Sequence, residues 1–389
     1  MQLFYLSCAC SAQKYAQLFN EIECKPGQQV QKYHRLFARG FALNQCDVDM
    51  ISALPLTRNN YDKRFYKTNQ EELNGLKYDY LSILNFPILK HIGIVWQTVS
   101  TIIKKRKKES FIICDVLNQS VALGGVIASR ILHCPCVGIV TDLPEMLSGN
   151  SIGVKINNYI IARCSSYIFL TEKMNDKINK KNKPYIVLEG HIDCEHNFVK
   201  KTHKYQNFVC MYAGALSKKY GLDNLVRGFI DANLPDSELH LYGDGDYVPE
   251  LLEICSRVSN VKYFGTKLND YVVCEEQRAS LLINPRPTEE EFTQYSFPSK
   301  NMEYMLTGTP VLTTKLPGMP EEYYPYVYLL EDESENGIAT KLKELYLLGQ
   351  AELQAKGKRA FQFVLENKSN KMQAWKVIDE LLQKQGENV

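Results

Sequence analysis

The sequence predicts an α/β protein of two doubly wound domains, each a parallel sheet covered by helices on both faces. Three observations predict it. The chain has 389 residues, beyond the ~100 to 200 usual for one domain. Short runs that are apolar throughout, rather than alternating, recur with helical segments between them, as strands buried on both faces do. The pattern breaks over the polar stretch GHIDCEHNFVKKTHKYQN, residues 190–207, and then restarts with a strand. Domains are therefore expected at 1–200 and 201–370, with a C-terminal helix at 371–389 packing back across the hinge onto the first domain.

The expected strands of the first half are QLFYLS (2–7), DVDMIS (47–52), FIICDV (111–116), CVGIV (136–140), YIFL (167–170) and YIVL (185–188). Those of the second half are FVCMYA (208–213), ELHLY (238–242), NVKYF (260–264), SLLIN (280–284), PVLTT (310–314) and YVYLL (326–330). The opening MQLFYLSCACSA has the brief apolar core of a secretion signal, but no basic residue precedes it, and it is read as the first strand. From about 350 to 385 the chain is helical, with Trp375, Val377, Ile378, Leu381 and Leu382 at three-to-four spacing.

Composition narrows the setting. The 45% hydrophobic and 23% charged fractions are those of a soluble globular protein. A net charge of +2 gives no global reason for nucleic-acid binding. No stretch approaches the ~18 uninterrupted apolar residues of a membrane span. Twelve cysteines are scattered without C-x-x-C pairs at zinc spacing, which points to reduced, mostly buried thiols in a cytoplasm.

Open parallel sheets bind ligands beyond the carboxyl ends of their strands, so the strand-to-helix loops are where chemistry is expected. In YAGALSKKYGLDNLVRGF (212–229), Gly214 lets backbone approach a ligand, and Lys218 and Lys219 add mobile positive charge. In LYGDGDYVPELLEI (241–254) the Gly-Asp-Gly reads as a turn, with Asp246 or a neighbour capping the next helix. In INPRPTEEEFTQYSFPSKNMEYM (283–305), Pro298 suits a helix start, Ser299 can cap or meet a phosphate, and Arg286 and Lys300 bring positive charge. Glu303 lies about one turn beyond Ser299, where a carboxylate can accept from both hydroxyls of a ribose. TTKLPGMPEEY (313–323) runs a strand into Pro-Gly-Met-Pro and Glu321, a turn whose N–H groups can face anionic oxygens.

Taken together and in order, these loops resemble a known family. A G-x-L followed by a basic residue and a helix, a G-x-G, a segment like Glu-x7-Glu ending in E-Y-M-x-x-G-x-P-V, and an L-P-G-x-P-E are similar to the nucleotide-sugar half of the retaining glycosyltransferases of family 4. The SFPSK…EYM run is similar to that of the bacterial capsule and exopolysaccharide subgroup. The specific resemblance spans roughly residues 207 to 330, while the first half shares the strand–helix plan and VLEGHID at the hinge. It implies a GT-B fold, two Rossmann-like domains facing a cleft, and transfer of a sugar from a nucleotide-sugar, a UDP-sugar by preference, to a glycan or polyprenyl-linked saccharide. The nucleotide-sugar is then a substrate, and neither a cofactor nor a metal is expected. By the same resemblance Glu303 holds the ribose, Gly318, Pro320 and Glu321 lie beside the diphosphate and sugar, and Gly308 and Pro310 form the helix-to-strand turn.

The sequence departs from the family at two places. Eight residues before Glu303 stands Tyr295, so the first family glutamate, which contacts the transferred sugar, is absent in register; Glu291, or its neighbours Glu289 and Glu290, is expected in its place. The Arg and Lys of the family's first loop align with Ala215 and Tyr220, leaving Lys218 or Lys219 to reach the phosphates. These departures motivate a second class, a non-catalytic nucleotide-binding homologue or partner subunit. A third, a sugar-nucleotide epimerase on the same plan, would convert free sugar nucleotide without acceptor.

The acceptor is expected on the first half, at IVTDLPEML (139–147), where Asp142 orients a hydroxyl or caps a helix, or near Asn118. The run Lys104, Lys105, Arg106, Lys107 and Lys108 ends an apolar helical segment, as a solvated C-terminus or as a contact with anionic lipid at the inner face of a membrane. DVD at 47–49 has a metal-motif form but leads into a strand, and HIDCEH at 191–196 has zinc-like composition but coincides with the hinge.

Overall fold

The computed structural model describes residues 1–20, 22, 25–147, 151–195 and 202–383. The chain divides into two compact units, Met1–Cys194 with Ser369–Val389, and Glu195–Lys368.

The first unit carries strands β1 (Gln2–Ser7), β2 (Asp47–Ser52), β3 (Phe65–Tyr66), β4 (Asn69–Leu73), β5 (Leu76–Tyr80), β6 (Ile83–Leu84), β7 (Ser110–Asp115), β8 (Cys136–Val140), β9 (Ser166–Phe169) and β10 (Tyr185–Val187). Its main sheet runs β10-β9-β8-β7-β1-β2-β5-β4, parallel except for the β4/β5 pair, with β3 and β6 forming a separate small ladder. β1 is buried at every position because helices cover both faces. In the resulting core Tyr5 meets Phe37 edge-on and Phe41 at a tilt.

The second unit carries β11 (Phe208–Ala213), β12 (Ser237–Tyr242), β13 (Val261–Tyr263), β14 (Leu281–Asn284), β15 (Val311–Thr314) and β16 (Tyr328–Leu330), ordered β13-β12-β11-β14-β15-β16 and parallel throughout. Strand order reverses between β11 and β14, the place where an open parallel sheet opens a crevice for ligands.

Two features differ from the sequence reading. β3 to β6 were not expected, because none of them is a long, uniformly apolar run; LKYDY alternates polar and apolar residues, the pattern of a half-buried strand. Asn74 and Gly75 both adopt positive φ, +53° and +73°, the two-residue hairpin turn that an Asn-Gly pair signals. The C-terminal helical region is also split. Gln350–Asn367 belongs to the second unit, and Ser369 then caps a new helix, Asn370–Val377, accepting from Met372 N–H at 3.2 Å. That helix docks on the first unit: Asn370 Nδ2 donates to the Leu36 carbonyl (2.9 Å) and Gln373 Nε2 to the Gly190 carbonyl (2.8 Å). It buries Ala374 and Val377, and the π-helical turn Ile378–Gln383 that follows buries Leu381 and Leu382, while Trp375 is 48% exposed.

Candidate functional site

In the second unit the loops after β11, β12, β14 and β15 are tied together by backbone and buried polar groups. Gly214 N–H donates to the Tyr242 carbonyl (2.9 Å) and Leu216 N–H to the Asp244 carbonyl (2.9 Å), so the first two loops run as one ribbon. A Cβ on Gly243, whose φ is +128°, would lie 1.8 Å from the Gly214 carbonyl oxygen, which is why that position is glycine. The Gly-Asp-Gly segment is thus a turn. The expected helix cap is not made: Tyr247 precedes the helix Val248–Arg257 with no side-chain cap, and Asp244 Oδ1 instead accepts from Gly245 N–H at 2.8 Å.

Lys300 reaches back into this ribbon. Its Nζ donates to the Ala213 carbonyl (2.7 Å) and the Tyr212 hydroxyl (3.3 Å), and a Cβ on Gly214 would stand 1.3 Å from it. Tyr304, one turn later on the helix Ser299–Met305, receives the Ala213 N–H at 2.9 Å and donates to its carbonyl at 3.2 Å. One helix therefore pins the end of β11 with an ammonium and a phenol. Burial pushes the Lys300 amine down to about 8, against the pull of Glu303 and Glu276.

Arg286 lies over the Phe292 ring at 4.6 Å and the Tyr220 ring at 5.3 Å, and Lys219 also lies over Phe292 at 4.6 Å. Arg286 Nε is buried with no hydrogen-bond partner. Lys218 is turned away: it pairs with Glu250, which Arg227 also contacts at 3.5 Å. The structure thus separates the two lysines that the sequence left equivalent. Tyr220, where the family resemblance expects a lysine, supplies a ring that supports Arg286.

Glu303 is exposed on the Ser299–Met305 helix. Behind it Glu276 is buried, and burial, followed by the Glu303 charge, pushes its carboxyl up to about 8. Sequence reading missed Glu276, because it lies within NDYVVCEEQR, which reads as an ordinary polar helix. Glu291 is exposed at the start of the short turn Glu291–Gln294, one residue before Phe292. Ser299 is exposed as the first residue of its helix, with Pro298 before it, and its hydroxyl caps no N–H; this corrects the capping role. Gly318 is buried in the turn after β15, held by Met319 N–H to the Leu316 carbonyl (2.9 Å), and Glu321 is exposed at the start of the following turn.

Asn301, fully buried, joins these loops. Its Oδ1 accepts from Asn284 Nδ2 (2.8 Å), and its Nδ2 reaches Thr313 Oγ1 (3.0 Å) and Met319 Sδ (3.5 Å). The ends of β14 and β15 and the Pro-Gly-Met-Pro turn share one amide. A buried side chain serving three segments fixes loops whose own sequences, rich in Gly and Pro, specify little.

In the first unit a cavity of about 480 Å3 opens at the carboxyl ends of β1, β2, β7 and β8; His34, Lys90, His91, Asp115, Asn118 and Asp142 are among its lining residues. Both expected acceptor positions, Asn118 and Asp142, lie there. Asp142 is exposed at the rim, where partial desolvation, and then the Asp115 charge, raises its carboxyl. Below it runs a buried relay that sequence reading did not find. Tyr5 hydroxyl meets His34 Nδ1 at 2.9 Å, and His34 Nε2 meets Asp115 Oδ2 at 3.3 Å. With both ring nitrogens engaged, His34 positions Asp115 rather than a ligand.

The remaining motifs resolve structurally. Asp47 pairs with Lys77 (2.6 Å) and Lys107, and Asp49 accepts from Gln2 (2.8 Å) and Lys105 (3.2 Å), so DVD is an ion-pair strand. His191 stacks on Phe37 and bonds the Tyr33 carbonyl at 2.9 Å, and burial pushes it down to about 4; His196 lies outside the described residues. Three scattered cysteines do meet in the core: Cys114, Cys136 and Cys164 have sulfurs within 4.8 Å of one another.

The fold is that of GT-B glycosyltransferases, two Rossmann-like domains with parallel sheets. The sucrose-phosphate synthase of Thermosynechococcus elongatus aligns with TM-score 0.66 at 14% identity, covering 100% of both chains. Anabaena HepE in complex with UDP aligns with TM-score 0.62 at 16% identity, covering 99% of this chain and 100% of that one. The lipopolysaccharide outer core galactosyltransferase WaaB, in its apo form, aligns with TM-score 0.65 at 13% identity, covering 99% and 100%. Residues 207–347 match the family model described as glycosyl transferases group 1, and that segment holds Gly214, Lys219, Arg286, Lys300, Glu303 and Glu321. No curated protein matches this chain.

Proposed function

We propose that this chain is a retaining glycosyltransferase that moves a sugar from a UDP-sugar to a glycan or lipid-linked saccharide in the cytoplasm, as a step in surface polysaccharide biosynthesis. The observation that carries the reading is the convergence on one strand end of Lys300, Tyr304 and Gly214, with Lys219 and Arg286 gathered on Phe292. UDP is the nucleotide in solved structures of similar fold, among them Anabaena HepE with UDP-glucose. In this reading Glu303 accepts from the ribose hydroxyls, and Glu321 and Gly318 flank the diphosphate and sugar. Glu291 contacts the transferred sugar, and Asp142 orients the acceptor hydroxyl.

The chemistry asks for positive charge. As the bond from the anomeric carbon to the phosphate oxygen breaks, its electron pair stays on the phosphate, and positive charge grows at carbon. Lys219, Arg286 and Lys300 would meet the leaving diphosphate, each charged hydrogen bond contributing ~1.5 to 3 kcal/mol. The acceptor oxygen bonds to the same face of the anomeric carbon, and its proton passes to the leaving phosphate oxygen.

Thermal-shift binding against UDP-, GDP-, ADP- and dTDP-sugars, on wild type and Glu303→Ala, tests the reading. Stabilisation by the UDP-sugars, lost in the variant, is expected; stabilisation by none, in a folded protein, overturns it. Tyr295 and Ala215, at positions where relatives carry functional groups, favour one competing reading, a non-catalytic homologue. That protein would bind the nucleotide-sugar without turnover on any acceptor.

A further inference from the structure

The helix Pro87–Lys105 is apolar on two sides. Toward the protein it buries Ile94, Thr98 and Ile102. Away from it, Ile88, Leu89, Ile92 and Trp96 are 73%, 55%, 60% and 70% exposed. At ~100° per residue these four fall within one stripe about 100° wide, and Ile103 continues it. A surface helix ordinarily turns polar residues to water; this one is greasy where it should be charged. The segment entering it extends the ridge, since Leu84 and Phe86 are exposed and Leu84 pairs with exposed Phe65 across the β3/β6 ladder.

Cations stand at both ends of the ridge. Lys63, Arg64 and Lys67 are exposed around Phe65, and Asn85 N–H bonds the Arg64 carbonyl at 2.8 Å, which holds them at the helix start. Lys104, Arg106 and Lys108 are exposed at the helix end. The five-cation run does not act as a block: Lys105 is committed to Asp49 (3.2 Å) and Asp79 (2.5 Å), and Lys107 to Asp47. The inner side of the same helix contributes Lys90, His91 and Ile94 to the wall of the first-unit cavity. No helix among the described residues is long and apolar enough to cross a membrane.

We propose that this ridge docks the first unit on an anionic phospholipid bilayer, with the helix lying in the headgroup plane. The apolar stripe enters the acyl boundary, Trp96 sits at the interface, and the two cation groups meet lipid phosphates. The cavity is thereby held at the membrane surface, where it takes a saccharide whose carrier lipid stays in the bilayer. The acceptor part of this inference rests on the glycosyltransferase reading; the docking does not.

Sedimentation of the full chain with vesicles of phosphatidylcholine alone, or mixed with phosphatidylglycerol, tests it. Binding is expected only with the anionic lipid. Ile92→Glu with Trp96→Glu should abolish it, and Lys104→Ser with Arg106→Ser and Lys108→Ser should weaken it about a hundredfold, at about fivefold per cation. All five positions project from the surface, so an unchanged melting temperature will show that the fold is intact. The chain has two tryptophans; in a Trp375→Phe background the remaining Trp96 should shift its emission to the blue on anionic vesicles. No vesicle binding, or binding indifferent to the Glu pair, overturns the proposal. So does a wild-type dimer in size-exclusion that the Glu pair makes monomeric without any lipid binding, which would assign the ridge to a second copy. UDP-sugar thermal shifts on the same variants separate the readings: vesicle binding without nucleotide binding removes the transferase reading and leaves the docking, and the converse removes the docking alone.

Discussion

Replacing Lys300 by methionine should stabilise the ligand-free protein while weakening its hold on nucleotide. Lys300 ordinarily titrates near 10.5, and burial beside Gly214 brings it to about 8. The unfolded chain therefore binds more protons than the folded one between pH 8 and 10.5. Stability rises with pH across that window, and the penalty is present in full below pH 8. At 1.36 kcal/mol per pH unit the charged amine costs on the order of 3 kcal/mol at pH 7, which its partial exposure reduces to about 2. Methionine keeps the length and removes the charge. The Ala213 carbonyl is not orphaned, because Tyr304 still donates to it at 3.2 Å, and the Tyr212 hydroxyl keeps its bond to the Ala215 carbonyl at 3.0 Å. Ligand-free Lys300→Met should melt about 5 °C higher at pH 7, with the gap closing toward pH 10. Lys204 is also brought to about 8 by burial, but it is common to both proteins, so the difference isolates Lys300. In calorimetric titration the variant should bind UDP-sugar 10- to 100-fold more weakly, the loss of one charged hydrogen bond. A variant less stable than wild type at pH 7, or a gap that persists at pH 10, would refute the reasoning.

Three further outcomes follow from the same geometry. Glu276, held near 8 against an ordinary 4.5, keeps its proton in the folded chain, so wild-type stability should fall as pH rises from 4.5 to 8; Glu276→Gln should flatten that slope in urea unfolding. Lys219→Ala should weaken UDP-sugar binding about tenfold, whereas Lys218→Ala, whose lysine is occupied by Glu250, should change it less than about threefold. Asn301→Leu leaves Asn284 and Thr313 without their buried partner and should cost about 2 to 3 kcal/mol in urea unfolding.

Much of this protein was legible in its residues alone. Uniformly apolar runs such as FVCMYA, too short for a buried helix and bounded by turn residues, fit strands covered on both faces, so β11 and its neighbours, and with them a parallel sheet, follow from local hydrophobicity. Gly214 and Lys300 could be singled out locally, because a glycine after a strand and a cation at a helix start have local meanings, and the structure brings the two into contact. Pairing across the chain was not legible. Nothing near Lys218 or Lys219 in sequence says that Glu250, thirty-odd positions on, takes the first and leaves the second over Phe292. The basic run likewise loses Lys105 and Lys107 to aspartates on β2 and β5, and β5 was itself missed because its residues alternate. The buried groups that set electrostatics, Glu276 behind Glu303 and His34 between Tyr5 and Asp115, sit in helices that read as ordinary polar segments. Backbone preference and burial pattern are short-range properties written in consecutive residues; the partner of a charge, and the water it loses, are decided only when distant segments fold onto one another.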